Sequence, residues 1–197
     1  MSAKEKKIEL RRSLLQKRTQ MAVTEWKEKS DRICTHLEAS PLFLQAKTIL
    51  VYFSFRQEPD LSPLFANPYY RWGFPRCVGK NMFWHSVKIG NLETPNSASL
   101  QVNTFGITEP HPHNPIIEPS EVDLILLPSV ACDSQCFRLG YGGGYYDRML
   151  SSPEWNLKPT IGIVFEFAYL PELPIQSWDK PLQNICTENG IYSKFEI

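Results

Sequence analysis

The chain lacks several features that define whole classes of protein. None of its apolar stretches approaches the roughly 18 consecutive residues that a membrane-spanning helix needs. Its amino end (residues 1–7) has no apolar core of the kind found in secretory signals. Lysine plus arginine equals aspartate plus glutamate, at 21 each, so no net field attracts the chain to nucleic acid or membrane. These absences predict a soluble, cytoplasmic protein that binds neither.

Cysteine is scarce, and its pattern argues against a disulfide framework. There are five cysteines, an odd number, and they are scattered along the chain. We therefore expect free thiols in a reducing compartment. Cys132 and Cys136 are the only close pair, and a metal site there would need two further ligands that the sequence does not offer.

The apolar residues are arranged for an α/β fold. At 197 residues and 42% hydrophobic content, the chain suits one domain, residues 1–197. Residues 122–127 and 160–165 are near-continuous apolar runs, typical of parallel strands covered on both faces. Residues 48–53 and 82–87 predict two further strands. We expect a single three-layer, Rossmann-like α/β domain with a mostly parallel sheet flanked by helices.

Two helices are expected near the amino end. Ser2 and Glu5 fit a capping box, and the helix that they begin should run to about Arg18. Thr24 is a candidate cap for a second helix, which should reach about Leu37. The proline-rich and asparagine-rich residues 88–121 predict an irregular excursion within the domain.

The most informative segment is RLGYGGGYYDR, residues 138–148, called here the glycine-rich segment. Its four glycines allow positive φ and a close backbone approach to a ligand. Inward-facing amides suit phosphate oxygens, and a helix beginning near Tyr145 would add its own amides and positive dipole end. Arg138 and Arg148 flank the segment, and Asp147 offers a hard oxygen ligand for Mg²⁺. The segment predicts a nucleotide-phosphate site.

Other interpretations of these residues stay open. A Walker A loop would need Lys-Ser/Thr where Tyr145 and Tyr146 stand, and the dinucleotide pattern GxGxxG also fails. A glycine-rich turn with no ligand is the plain alternative. Lys7 and Arg11 share one helix face and could hold a polyphosphate, or they could form an ordinary solvated face.

The glycine-rich segment, preceded by DLILLP at residues 123–128, resembles the 5-formyltetrahydrofolate cyclo-ligase family. The resemblance extends over nearly the whole chain. The other matching pieces, weak singly but in the family's order, are KIELR at 7–11, YFSFRQE at 52–58, FGITEP at 105–110, Asp179, and CTE at 186–188.

The resemblance implies an activity. Members of this family are ATP- and Mg²⁺-dependent ligases that form a C–N bond, closing 5-formyltetrahydrofolate to 5,10-methenyltetrahydrofolate with release of ADP and phosphate. Its substrates would be a reduced folate and ATP, and we expect a monomer. A catalytically idle folate-binding or nucleotide-binding relative is the alternative. A sugar-phosphate or acyl-CoA enzyme on a similar scaffold is a further one, because fold does not fix function.

The resemblance also implies site residues. Asp147 and Asp179 match the family's Mg²⁺ ligands. The ATP site would comprise Lys7, Arg11, Arg138, Leu139, Gly140, Tyr141, Gly142, Gly143, Gly144, Tyr145 and Tyr146. The substrate site would comprise Phe53, Glu58, Met82, Trp84, Tyr141, Gly142, Gly143, Gly144 and Tyr145, with Phe105 as a further apolar wall.

Four positions depart from the family's usual pattern. An apolar aromatic residue and a glycine are usual where Cys132 and Cys136 stand. A histidine commonly occupies the position of Trp178. A further acidic position corresponds to Gln183, which would lower the affinity for metal.

Overall fold

The computed structural model describes residues 2–88 and 99–194. Part of the expected irregular stretch, residues 89–98, lies outside these ranges. The helices are α1 (Ala3–Thr19), α2 (Val23–Glu38), α3 (Pro41–Gln45) and α4 (Tyr145–Leu150). Short 3₁₀ helices lie at Ser62–Ala66, Pro119–Glu121 and Glu166–Ala168.

The strands fall into three sheets. Seven of them form the main sheet: β1 (Thr48–Leu50), β2 (Arg71–Val78), β3 (Asn81–Ser86), β6 (Leu124–Pro128), β9 (Thr160–Ile163), β11 (Asn184–Thr187) and β12 (Gly190–Ser193). The smaller sheets contain β4 (Leu100–Val102) with β5 (Thr108–Pro110), and β7 (Ala131–Asp133) with β8 (Arg138–Leu139) and β10 (Tyr169–Leu170).

The main sheet has the order β12-β11-β9-β6-β1-β2-β3. Its five inner strands are parallel, and the two edge strands, β3 and β12, are antiparallel to their neighbours. The expected mostly parallel α/β sheet is confirmed. Both smaller sheets lie outside it, and the β4–β5 pair gives regular structure to part of the excursion expected to be irregular.

Alternate residues of the central strands pack into two separate cores. Leu124 and Leu126 face the core that also holds Ile33 and Leu37 of α2. Ile125 faces the other core, with residues of α1 and α4. Leu124, Ile125 and Leu126 all belong to β6. Burial of this strand on both faces explains its unbroken apolar run. Helices therefore cover both faces of the sheet.

Local sequence signals predicted the start of α1 correctly and the start of α2 incorrectly. The capping box is present, with Ser2 Oγ accepting from Glu5 N at 3.3 Å and Ser2 N donating to Glu5 Oε2 at 2.8 Å. The expectation that Thr24 caps α2 is wrong: Ala22 occupies the N-cap, without a side-chain hydrogen bond. Strand β2 was not predicted. Within the described ranges, no helix is long and apolar enough to cross a membrane.

Candidate active site

A cleft of about 1350 Å³ opens at the carboxyl edge of the main sheet. Residues following β1, β2 and β6 contribute to it, which is where ligands bind in open α/β sheets. The amino-terminal turns of α1 and the β4–β5 connection form further walls. All but one of the expected site residues line it: Lys7, Arg11, Phe53, Glu58, Met82, Phe105, residues 138–147 and Asp179. Their roles in binding remain predictions.

The glycine-rich segment adopts the torsions that favour glycine at two of its positions. Gly142 has φ of 100° and Gly144 has φ of 68°. Gly143 lies outside the positive-φ group, so the expectation of special torsions does not apply to all four glycines. A Cβ at Gly143 would instead lie 3.1 Å from two ring carbons of Tyr145, tighter than an ordinary contact. Arginine side chains lie against three of the glycines: Arg138 at Gly140, Arg11 at Gly142 and Arg148 at Gly144.

Several contacts hold the glycine-rich segment in place without a ligand. Tyr145 OH donates to Gly79 O in the β2–β3 turn at 2.9 Å. Arg148 Nε donates to Lys80 O at 3.2 Å, and its Nη1 donates to Gly143 O at 3.0 Å. A loop fastened in this way keeps its amides in position before a ligand arrives, so less freedom is lost on binding.

Helix α1 presents a cationic face to the segment. Arg11 Nε donates to Gly140 O at 2.7 Å. The buried Lys7 ammonium pairs with the Asp179 carboxylate, whose Oδ2 also accepts from Gln176 N at 2.7 Å. The expected spacing of four residues thus places Lys7 and Arg11 side by side on the cleft.

The two expected metal ligands both lie close to Arg11. Burial lowers the pKa of the Arg11 guanidinium, and the nearby charges of Asp147 and Asp179 oppose that effect. Asp147 Oδ1 is 3.8 Å from Arg138 Nη2. In the described part of the chain, no group of three or more His, Cys, Asp or Glu side chains could hold a metal ion. Two carboxylates suit Mg²⁺, which in proteins is commonly completed by water and substrate phosphates.

Glu58 contributes a buried carboxyl group to a part of the cleft that is rich in aromatic side chains. It is 3% exposed, and its Oε2 accepts from Phe55 N at 3.1 Å. Burial raises the pKa of Glu58 to about 7, although Arg18 and Tyr141 both act to lower it. The Phe53 ring stacks on Phe74 with centroids 4.1 Å apart. A buried acceptor beside aromatic rings can bind a flat heterocycle that carries N–H donors.

Trp84 is the one expected site residue that does not line the cleft. It is 1% exposed, lies in a core cluster, and directs its indole Nε1 to Met149 Sδ at 3.3 Å. The expectation that its ring forms a wall of the substrate site is therefore corrected. Met82 and Trp84 lie on the same face of β3 and pack on the same core, but Met82, near the start of the strand, is half-buried at the cleft, whereas Trp84, further along, is covered by Met149 of α4.

Three of the four departures from the family pattern lie away from the cleft. Cys132 is fully buried, and burial raises its pKa to about 12. Cys136 has φ of 62°, a left-handed conformation that accounts for the glycine usual at that position. Gln183 is outside the cleft lining, and its backbone N–H donates to Thr160 Oγ1 at 3.0 Å. Trp178 does line the cleft and is 58% exposed.

Sequence reasoning missed Arg18 and the strained turn beside it. Arg18 is 4% exposed, and its Nε donates to Arg56 O at 3.0 Å. Arg56 and Gln57 both have positive φ, at 49° and 54°. The spacing of Lys7, Arg11 and Arg18 was the available signal, because residues four and then seven apart share a helix face.

Fold and site together define an α/β protein with a large cleft, in which the glycine-rich segment faces a buried carboxyl group among aromatic rings. Comparison with known sequences agrees. The sequence model of the 5-formyltetrahydrofolate cyclo-ligase family matches residues 3–188. The chain belongs to the 5-formyltetrahydrofolate cyclo-ligase family.

Individual relatives span most of the chain. It is similar to the 5-formyltetrahydrofolate cyclo-ligase of Escherichia coli, with 27% identity over 90% of this chain and 97% of the relative. Its likeness to the Haemophilus influenzae cyclo-ligase is 33% identity over 72% of this chain and 75% of the relative. The NMR structure of Aquifex aeolicus 5,10-methenyltetrahydrofolate synthetase covers 97% of this chain and 94% of its own, with 30% identity and a TM-score of 0.82.

Proposed function

We propose that this chain catalyses the ATP-dependent closure of 5-formyltetrahydrofolate to 5,10-methenyltetrahydrofolate, with release of ADP and phosphate. The proposal rests on one observation: the glycine-rich segment and the Glu58 pocket, formed by Phe53, Glu58 and Met82, line the same cleft. A triphosphate on the first and a pterin ring in the second would bring the γ-phosphate and the formyl group together. Family membership supports the same reaction.

The chemistry requires activation of a poor leaving group. The formyl oxygen attacks the γ-phosphorus, and the bond from that phosphorus to the β,γ-bridging oxygen breaks to release ADP. The folate N10 then attacks the formyl carbon and loses its proton, and the phosphorylated oxygen leaves as inorganic phosphate. No covalent enzyme nucleophile is needed, so catalysis consists of alignment and charge neutralisation.

The cationic residues suit the triphosphate. Lys7 and Arg11 would pair with phosphate oxygens, while the amides of residues 139–145 would donate to them. Helix α4 has only six residues, so its summed dipole adds little and the segment's amides carry most of this binding. Arg138 is positioned by its Nη1 bond to Pro128 O at 2.9 Å and adds positive charge beside Tyr146.

Mg²⁺ is part of the proposal, and the residues present fit it. Asp147 and Asp179 would hold the ion with their carboxylate oxygens, and nucleotide phosphates would complete its shell. When bound, Mg²⁺ neutralises charge on the phosphate oxygens. Lys7, which pairs with Asp179 in the free protein, would then turn toward the nucleotide.

The Glu58 pocket suits the folate. Its buried carboxylate would accept hydrogen bonds from the amino and ring N–H groups of the pterin. Phe53 and Met82 would provide apolar contacts, and Phe105, which is 78% exposed on the β4–β5 connection, could cover part of the ligand. In this proposal the formyl-bearing nitrogen of the ring would point toward the glycine-rich segment.

The proposal is tested by turnover. Purified protein mixed with 5-formyltetrahydrofolate, ATP and Mg²⁺ should produce methenyltetrahydrofolate absorbance and one ADP per product. Reactions that lack ATP should produce neither. Binding of both substrates without product would replace the proposal with a catalytically idle relative. Thermal stabilisation by sugar phosphates or acyl-CoA but not by ATP and Mg²⁺ would indicate another enzyme on this scaffold.

A further inference from the structure

Arg18 is a buried cation that contacts three segments of the chain, two of which line the cleft. Its Nε donates to Arg56 O at 3.0 Å, after β1, and its Nη1 reaches Ser129 O at 3.4 Å, after β6. Its Nη2 donates to the hydroxyl of Tyr141 in the glycine-rich segment. One side chain from α1 therefore links the folate side of the cleft to the phosphate side.

The guanidinium also sets the electrostatic environment of Glu58. Burial favours the protonated carboxyl, while the positive charge of Arg18 is the largest influence that favours the carboxylate. Tyr141 joins the two side chains: its hydroxyl accepts from Arg18 Nη2 and also hydrogen-bonds the Glu58 carboxylate, and its ring centroid is 5.6 Å from Arg18 Cζ. The other titratable or charged groups that interact with Glu58 are Arg138, Tyr52 and Tyr146.

We infer that Arg18 is a positioning residue, which fixes Tyr141 against the turn after β1 and holds Glu58 as a hydrogen-bond acceptor for the folate. The expected effect of Arg18 on turnover rests on the proposed function. Its structural part, the coupling of Arg18 to Glu58, stands without it. A protonated Glu58 would present a donor to the N–H groups of a pterin and so bind it poorly.

The coupling predicts a specific kinetic signature. Arg18→Met removes a charge and three hydrogen bonds from a buried site, so kcat/KM for the folate should fall about tenfold or more at pH 7. The fall should appear mainly in KM for the folate. Because Glu58 is then protonated more readily, the acidic limb of the kcat/KM profile should move to higher pH, and activity should partly recover above pH 8. Arg18→Lys keeps the charge and should move the limb less.

The experiment compares Arg18→Met, Arg18→Lys and the matched control Arg12→Met, which removes an exposed arginine from the same helix. ADP release by each variant is measured from pH 5.5 to 9, first as the single substitution and then in combination with Glu58→Gln. We expect Arg12→Met to match the unmodified protein, and the pH-dependent part of the Arg18→Met loss to vanish in the Glu58→Gln background. An equal loss at every pH, or an undiminished loss beside Glu58→Gln, would overturn the inference.

A second readout separates this inference from the proposed function. NMR titration of the Glu58 carboxyl carbon in the free protein should show a higher pKa in Arg18→Met than in the unmodified protein. Arg18→Lys, which replaces it if the methionine variant does not fold, should show a smaller rise in the same pKa. An unchanged pKa in the folded variant rejects the inference even if the enzyme is active. A raised pKa in a protein that never turns over retains the coupling and rejects only the proposed function.

Discussion

Gly142→Ala tests the glycine-rich segment through backbone torsion alone. A Cβ at Gly142 would lie 3.6 Å from Arg11 Cζ, an ordinary contact, so the substitution creates no clash. Its cost comes from φ of 100°, which L-residues rarely adopt, and such strain is on the order of 1–3 kcal/mol. If the amides must keep this conformation to bind phosphate, ATP affinity should fall about 5- to 150-fold.

The assay measures ATP affinity by calorimetry, KM for each substrate and the melting temperature. Gly106→Ala is the matched control, because Gly106 has φ of 76°, a Cβ there would meet nothing within 4 Å, and it is not part of the cleft lining. Gly142→Ala should raise KM for ATP while Gly106→Ala leaves it unchanged. Unchanged ATP affinity and turnover in a fully folded Gly142→Ala would refute the reasoning.

Three further predictions concern charged residues of the cleft. Asp147→Asn should raise the Mg²⁺ concentration for half-maximal turnover about tenfold or more, because a charged oxygen ligand is lost. The change is read from Mg²⁺ titrations of turnover. Lys7→Met should raise the Kd for ATP about tenfold or more for lack of one charge-assisted contact, as measured by calorimetry. Glu58→Gln should raise the free energy of unfolding at pH 8 but not at pH 4, as measured by urea denaturation, while weakening folate binding.

The sign of the Glu58 prediction follows from linkage. Its pKa in the folded chain is about 7 against an ordinary 4.5, so between these values the folded state binds more protons. Stability therefore falls as pH rises through that window, by on the order of 3 kcal/mol when complete. Glutamine cannot ionise and avoids the loss. Equal effects of Glu58→Gln at pH 4 and pH 8 would contradict the raised pKa.

The other two predictions have their own controls. Lys6→Met removes an exposed lysine next to Lys7 and should leave the Kd for ATP unchanged. Comparable losses in both variants would show a general field effect and not a contact. Asp147→Asn should keep its melting temperature without ligands, because the side chain is about one-third exposed. An unaltered Mg²⁺ dependence in that variant would exclude Asp147 as a ligand.

Much of the fold could be predicted because burial on both faces leaves a clear record in sequence. The runs at β6 and β9 are nearly continuous in apolar residues, and the structure places both in the middle of the sheet. Strand β2 was missed because Pro75 and two arginines interrupt its pattern. The pairing of β2 with β1 ends at Gly73. Pro75 is tolerated because it lies beyond that point, where β2 is paired only with β3.

The site was predicted less evenly, for physical reasons. Glycine content marked the glycine-rich segment as a candidate phosphate site, but which glycines take positive φ depends on how Gly142 and Gly144 are placed between neighbouring elements. Trp84 was misplaced because it shares a strand face with Met82, and its burial depends on a long-range contact with Met149 that the local sequence does not show. Arg18 was missed because α1 carries many cations, and sharing a helix face with Lys7 and Arg11 does not by itself show that a cation is buried.

The central claim is that the backbone amides of residues 139–145 bind a triphosphate in the cleft. Amide NMR spectra of the 22.7 kDa protein, recorded with increasing ATP and Mg²⁺, test it most directly. The largest shifts should fall on Leu139 to Tyr145, with smaller ones near Lys7 and Arg11. Large shifts confined to other parts of the chain, with these amides unmoved at saturating nucleotide, would contradict the account.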